Sequence, residues 1–338
     1  MKRLANKLTK EEALALVEKE GFERQTISFY RYVHIENPTE FRDMLYKAWS
    51  ALGVLGRVYV AEEGINAQIS VPVHNVDAFR SQLESTAELK DMPFKLGLSE
   101  QAISFWKLTI KVKRQIVADD LPFGTYDISD VGKHLSAKEW NEAMSQDGTI
   151  VIDMRNGYES DIGKFDGAVA PDCLTFREEL PMVLDEFKEK KENKILLYCT
   201  GGVRCEKTSA FLKHHGFKDV NQLHGGIIDY VRQVKEEGLE NKFKGKNFVF
   251  DARRDEKISE DVLAECYQCG SPADTYIDCE NQGCHVLFIQ CDACAEKMNK
   301  TCSEECKAIV ALPKEKQKEL RRGKKANFAV LRRNKTTA

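Results

Sequence analysis

The chain has 338 residues, 42% of them hydrophobic, which is enough for two or three domains with buried cores of their own. Its net charge of −3 conceals a stretch at 314–335 with ten Lys or Arg against Glu315 and Glu319, so this stretch carries +8 against −11 elsewhere, a pattern suited to contact with a polyanion. Residues 1–7 are polar and no uncharged run is long enough to cross a bilayer, which argues against a signal peptide or a membrane span and sets the expectation of a cytoplasmic protein.

In chain order, a helical extension over 1–25 carries the capping box Thr9-x-x-Glu12. The region 26–120 then reads β-α-β-β-α-β. It has a β-rich run at 26–35, a helix opened by Asn37-Pro38, strands at 58–60 and 67–71, and a helix bearing Val76, Phe79 and Leu83. A closing strand follows at 106–113. This order predicts an α+β ferredoxin-like (acylphosphatase/RRM-like) domain, with a four-stranded sheet and two helices on one face. In the closing strand apolar residues alternate with Lys107, Thr109, Lys111 and Lys113, so the three lysines share a face that suits RNA or, equally, is a solvated strand face. Glu63 and Asn66, in Glu63-Gly64-Ile65-Asn66, are candidate RNA contacts that turn chemistry alone would also explain.

From 127 to 240 short apolar strands alternate with helices, which predicts an α/β domain with a parallel sheet. The strand at 149–152 ends at Asp153-Met154-Arg155, a supporting pair for the site. Another strand, at 195–198, ends at Cys199. Ligands bind such sheets at the carboxyl ends of the strands. Cys199 opens the run Thr200, Gly201, Gly202, Val203, Arg204, Cys205, and the segment after it reads as a helix stopped by Gly216. A glycine-rich turn at a helix N-terminus aims N–H groups at one anion, and Arg204 adds a fixed positive charge, so Cys199 is expected to ionise near neutral pH. Cys205 is either a packed small residue or a thiol that resolves an oxidised Cys199. Cys173 reads as a small apolar residue. Cysteine-dependent phosphatases place Cys and Arg one residue further apart; this shorter loop resembles that of the rhodanese family.

Eight of the eleven cysteines fall at 266–306: Cys266-x2-Cys269, Cys279-x4-Cys284, Cys291-x2-Cys294 and Cys302-x3-Cys306. Four thiolate pairs fit two four-cysteine structural zinc sites within a module at 246–310, with the pairing open, His285 a substitute ligand, and an iron–sulfur cluster the other use of the same thiolates. A basic tail occupies 311–338.

Taken together, Ala61-Glu62-Glu63-Gly64-Ile65-Asn66-Ala67, Val151-Ile152-Asp153-Met154-Arg155-Asn156, Tyr198 through Lys207, Lys246-Asn247-Phe248-Val249-Phe250-Asp251 and the cysteine-rich end resemble the rhodanese-domain tRNA uridine(34) hydroxylases over nearly the whole chain. The resemblance implies oxygen-dependent conversion of the wobble uridine to 5-hydroxyuridine, with molecular oxygen as co-substrate, a tRNA anticodon stem-loop as partner and Cys199 as the residue required. No flavin, haem or two-His-one-carboxylate motif is visible. Two other readings stand beside it: a sulfurtransferase carrying a persulfide on Cys199, and a non-catalytic RNA-binding zinc protein.

Overall fold

The computed structural model describes residues 4, 6–97, 103–323 and 329–333. Two compact units partition the chain. One comprises 1–156, 167–242 and 249–256; the other comprises 157–166, 243–248 and 257–338. Among the described residues no helix is long and apolar enough to cross a membrane.

The first unit opens with α1 (Lys10–Val17), whose capping box forms as the sequence predicts. The elements β1 (Arg24–Tyr32), α2 (Pro38–Ala51), β2 (Leu55–Ala61), β3 (Gly64–Pro72), α3 (Val76–Glu84), β4 (Lys95–Leu96) and β5 (Leu108–Val112) follow. The sheet order is β4-β1-β3-β2-β5. Asn37 caps α2 by accepting the Glu40 N–H at 3.2 Å, and Pro38 occupies the first turn, where a missing N–H costs nothing. One face of the sheet buries Ile27, Phe29, Val58 and Ile69 against Trp49 of α2 and Phe79 of α3, whose rings lie 5.3 Å apart. The ferredoxin-like expectation holds in class, but the sheet has five strands. Its closing strand is the two-residue β4, antiparallel to β1, while the lysine-bearing β5 is an additional strand parallel to β2 on the far edge. Alternation identifies a strand without naming its neighbour, and two residues are too few to show alternation at all.

The central fold of the same unit contains β6 (Lys133–Leu135), α4 (Ala137–Met144) and β7 (Ile150–Asp153). The chain then leaves for the second unit through α5 (Gly157–Asp161) and β8 (Gly163–Phe165). It resumes with α6 (Phe176–Phe187), β9 (Lys194–Tyr198), α7 (Val203–His214), β10 (Asp219–Leu223) and α8 (Gly226–Glu237). The strands run parallel in the order β6-β10-β9-β7, as an alternating β/α sequence requires. This places Cys199 at the carboxyl end of an interior strand.

The second unit pairs β8 with β11 (Phe243–Phe248); the chain then returns to the first unit for most of β12 (Asp255–Lys257) before the second unit continues with β13 (Tyr276–Asp278) and β14 (Leu287–Ile289). Helices α9 (Asp292–Met298), α10 (Glu304–Val310) and α11 (Lys314–Arg321) and strand β15 (Val330–Leu331) complete it. Within the tail, β15 pairs with β14, and Arg332 forms a two-pronged ion pair with Asp161 at 2.6 Å. Lys324, Lys325 and Lys335 of the expected basic tail lie outside the described residues.

Candidate active site

The Cys199 loop is held from two sides. Beneath it, the N–H groups of Ile227 and Ile228 at the start of α8 donate to the carbonyls of Cys199 and Thr200 at 3.0 and 3.3 Å. Gly226 permits this approach: its φ is +68°, and a Cβ there would lie 2.5 Å from the Cys199 carbonyl oxygen. Above it, Gly202 has φ +98° and donates its N–H to Cys199 Sγ at 3.1 Å. With its carbonyls turned onto α8, the loop leaves its amides for the sulfur.

The Cys199 thiol is fully buried, and burial by itself would raise its pKa. A hydrogen bond from the Cys205 thiol, the Arg204 charge and the amides of Arg204 and Cys205 outweigh burial and bring it down to about 5. Cys205 shows the complement: burial and the Cys199 thiolate push it well above the usual thiol value. Cys199 is thus the more acidic thiol of the pair.

The N-terminal sheet closes over this loop within the same unit. Tyr30 of β1 donates its hydroxyl to Glu206 at 2.9 Å, and Tyr32 donates to the Val203 carbonyl at 3.0 Å. Burial and then the Glu206 charge raise the Tyr30 pKa, so the phenol stays a donor. Glu206 also receives Gln222, and His134 lies 3.0 Å away; these donors hold its carboxyl below the ordinary range despite burial. On the other side of α7, Lys207 is buried between Glu63 at 3.0 Å and Asp119 at 3.1 Å. Between sheet and loop lies a cavity of about 390 Å3, bounded by Tyr30, Tyr59, Asn66 and Lys95 on one wall and by Cys199, Thr200, Gly201, Val203 and Arg204 on the other.

The residues singled out in the sequence thus have different fates. Asn66 reaches the cavity, whereas Glu63 is spent on Lys207 and on the Ile116 N–H at 2.7 Å. Lys107, Lys111 and Lys113 are exposed; Lys111 pairs in register with Tyr59, and the Lys113 ammonium lies 5.6 Å from the Tyr59 ring centre, so these lysines continue the cavity's sheet wall outward. Asp153 and Arg155 are fully buried and joined at 2.7 and 2.9 Å, with the Tyr198 hydroxyl on the same carboxylate at 2.7 Å. They brace the ends of β7 and β9. Sequence reasoning missed Tyr30 and Lys95, which carry no local signal, and Gly226; Glu206 and Lys207 lay within the quoted run from Tyr198 but were given no role there.

In the second unit the eight cysteines form two clusters, Cys266, Cys269, Cys291, Cys294 and Cys279, Cys284, Cys302, Cys306, each with its sulfurs within 4.8 Å of one another. The pairing is interleaved, first with third and second with fourth. Sulfur separations of 3.6 Å for Cys269–Cys291 and 3.7 Å for Cys284–Cys302 and Cys302–Cys306 match the edge of about 3.8 Å expected for four thiolates ~2.3 Å from one ion. Each cluster could hold a metal ion. His285 joins neither: its Nε2 faces Asp278 at 3.7 Å, and four sulfurs already complete each group.

The chain matches the UPF0176 acylphosphatase like domain over residues 24–116, the Rhodanese-like domain over 136–233 and the Rhodanase C-terminal domain over 244–307. It is 56% identical over 308 residues to the tRNA uridine(34) hydroxylase of Leptospira interrogans serogroup Icterohaemorrhagiae serovar Lai, covering 91% of this chain and 84% of that protein. The proteins of the same name from Escherichia fergusonii and Photorhabdus laumondii are 49% and 44% identical, over 95% and 98% of this chain and 91% and 95% of theirs. With all three domains matched in order and identity of this extent along the full arrangement, the chain belongs to the tRNA uridine(34) hydroxylase family.

Proposed function

We propose that this protein hydroxylates C5 of the wobble uridine of tRNA and that the reaction depends on Cys199. One observation carries the reading: a thiolate with a pKa of about 5 and the open face of an RRM-like sheet border the same cavity, in a chain whose relatives are named for tRNA uridine hydroxylation. The anticodon stem-loop docks along the sheet face that Lys107, Lys111 and Lys113 extend. Position 34 turns out of the loop into the cavity, where Asn66 and Arg57 border it; an unstacked base is the form in which single-stranded RNA is read and modified. A volume of about 390 Å3 accommodates a pyrimidine.

Molecular oxygen is the oxygen source. The base takes one oxygen atom and the other leaves as water, which requires two electrons from a reductant. Cys199 and Cys205, hydrogen-bonded to each other, form a dithiol that can supply them by closing to a disulfide that an external thiol reopens. Two zinc ions in the cysteine clusters are structural, since four thiolates leave no open position.

Mass spectrometry of tRNA nucleosides from a strain lacking the protein tests the reading. 5-Hydroxyuridine derivatives are expected to disappear, to return with the wild type and to stay absent with Cys199→Ser. Unchanged derivatives in the deletion strain overturn it, and thiosulfate turnover without any tRNA change would favour sulfur transfer. With labelled dioxygen, the new hydroxyl is expected to carry the label.

A further inference from the structure

Lys95 lies on β4, where its register partner on β1 is Ser28, so its side chain shares the open face of the sheet. The residue is 8% exposed and borders the cavity from the wall opposite the Cys199 loop. Among the described residues its ammonium has no hydrogen-bond or ion-pair partner; its contact is the ring of Tyr30, 4.3 Å from the centroid. The acidic groups whose charge it feels are engaged elsewhere: Asp229 with Arg232 at 2.7 Å, and Glu206 with Tyr30, His134 and Gln222. Burial lowers its pKa, and the charges of Asp229, Cys199 and Glu206 work against that lowering. A buried cation facing a cavity without a partner is costly unless a ligand completes it.

Resting on the function proposed above, we propose that Lys95 is a catalytic residue that binds O4 of the target uracil and stabilises the enolate formed when Cys199 adds to C6. In that step the sulfur–C6 bond forms and the C5–C6 double bond breaks. The electron pair shifts through C5–C4 onto O4, leaving C5 nucleophilic. Charge thus moves from sulfur to an oxygen across the ring. The sulfur already has Gly202 N–H, the Cys205 thiol and Arg204, so a further cation on the sulfur would favour the thiolate and slow its attack, whereas one on the facing wall favours the adduct.

The adduct can take a solvent proton at C5 and revert, so the enzyme exchanges the C5 hydrogen of bound uridine without any oxidant. The test is release of tritium from tRNA labelled at uridine C5, with dioxygen removed and tRNA saturating. Wild type is expected to release it and Cys199→Ser not to. Lys95→Met is expected to lose about 100-fold in both exchange and hydroxylation, with tRNA affinity within about twofold, and Lys95→Arg to recover part of it. Exchange by Lys95→Met at the wild-type rate overturns the proposal. So does an effect confined to tRNA affinity, which would make Lys95 a phosphate contact. Hydroxylation by wild type without exchange overturns it while leaving the hydroxylase reading intact, whereas neither activity in the wild type refutes that reading. A melting temperature of Lys95→Met at or above wild type, expected when a buried unpaired charge is removed, separates lost chemistry from lost fold.

Discussion

Cys199 owes its chemistry to its position at a strand exit, where carbonyls are drawn down to α8 and amides rise toward the sulfur. With a thiolate pKa of about 5, the difference in absorbance at 240 nm between wild type and Cys199→Ser is expected to titrate with a midpoint near 5 rather than near the ~8.5 of a free thiol. The linked effect on stability follows in sign. The folded value lies below the unfolded one, so the thiolate's contribution is complete above about pH 8.5 and is lost as pH falls through 5; Cys199→Ser is expected to flatten that slope in denaturant melts. Gly226→Ala offers a second measurement. Its Cβ would enter the Cys199 and Thr200 carbonyls, so activity is expected to fall with the melting temperature. At Gly167, where φ is +72° and nothing lies within 4 Å, the same change is expected to cost about 1–2 kcal/mol and leave turnover intact.

Helix α7 carries the loop at its N-terminus and, a few residues on, Lys207. Its ammonium, 2% exposed, joins Glu63 at the turn between β2 and β3 to Asp119 in the segment after β5, and also donates to the Val117 carbonyl at 3.0 Å. One buried charge therefore fixes the ferredoxin-like sheet against the helix that follows the Cys199 loop. Lys207→Met strands two carboxylates and is expected to cost about 3 kcal/mol in chemical denaturation, with loss of turnover as the cavity wall shifts. Strand β5, at the edge of the sheet beside β2, offers a separate measurement. Replacing Lys107, Lys111 and Lys113 together by Gln is expected to weaken tRNA binding and to lower the steepness of its salt dependence by roughly 0.7 for each phosphate no longer neutralised, while the melting temperature stays constant, because these side chains are exposed. An unchanged salt slope would place the RNA elsewhere.

At the scale of the molecule, the second unit gathers its cysteines into two groups, with Cys279, Phe288 and Cys306 at the centre of a small cluster. Chelation is expected to release two metal ions per chain and unfold this unit, measured by a metal indicator together with circular dichroism; retention of structure after both ions leave would contradict a structural role. The cysteine count and spacing made the candidate ligands legible, but not their interleaving, because which thiols converge depends on how β13, β14 and α9 bring distant turns together. The same division runs through the whole chain. Capping boxes at Thr9 and Ser136, the alternation of strands and helices, and the Cys199-to-Arg204 spacing are local patterns, and they determined the elements, the fold classes and the candidate loop. The cavity is another matter: Tyr30, Lys95 and Cys199 are separated by scores of positions and joined by sheet register and domain packing. Periodicity reports which face a residue occupies and says nothing of what that face meets, so only the tertiary structure decided that the sheet closes over the thiolate and brings a lone buried lysine to it.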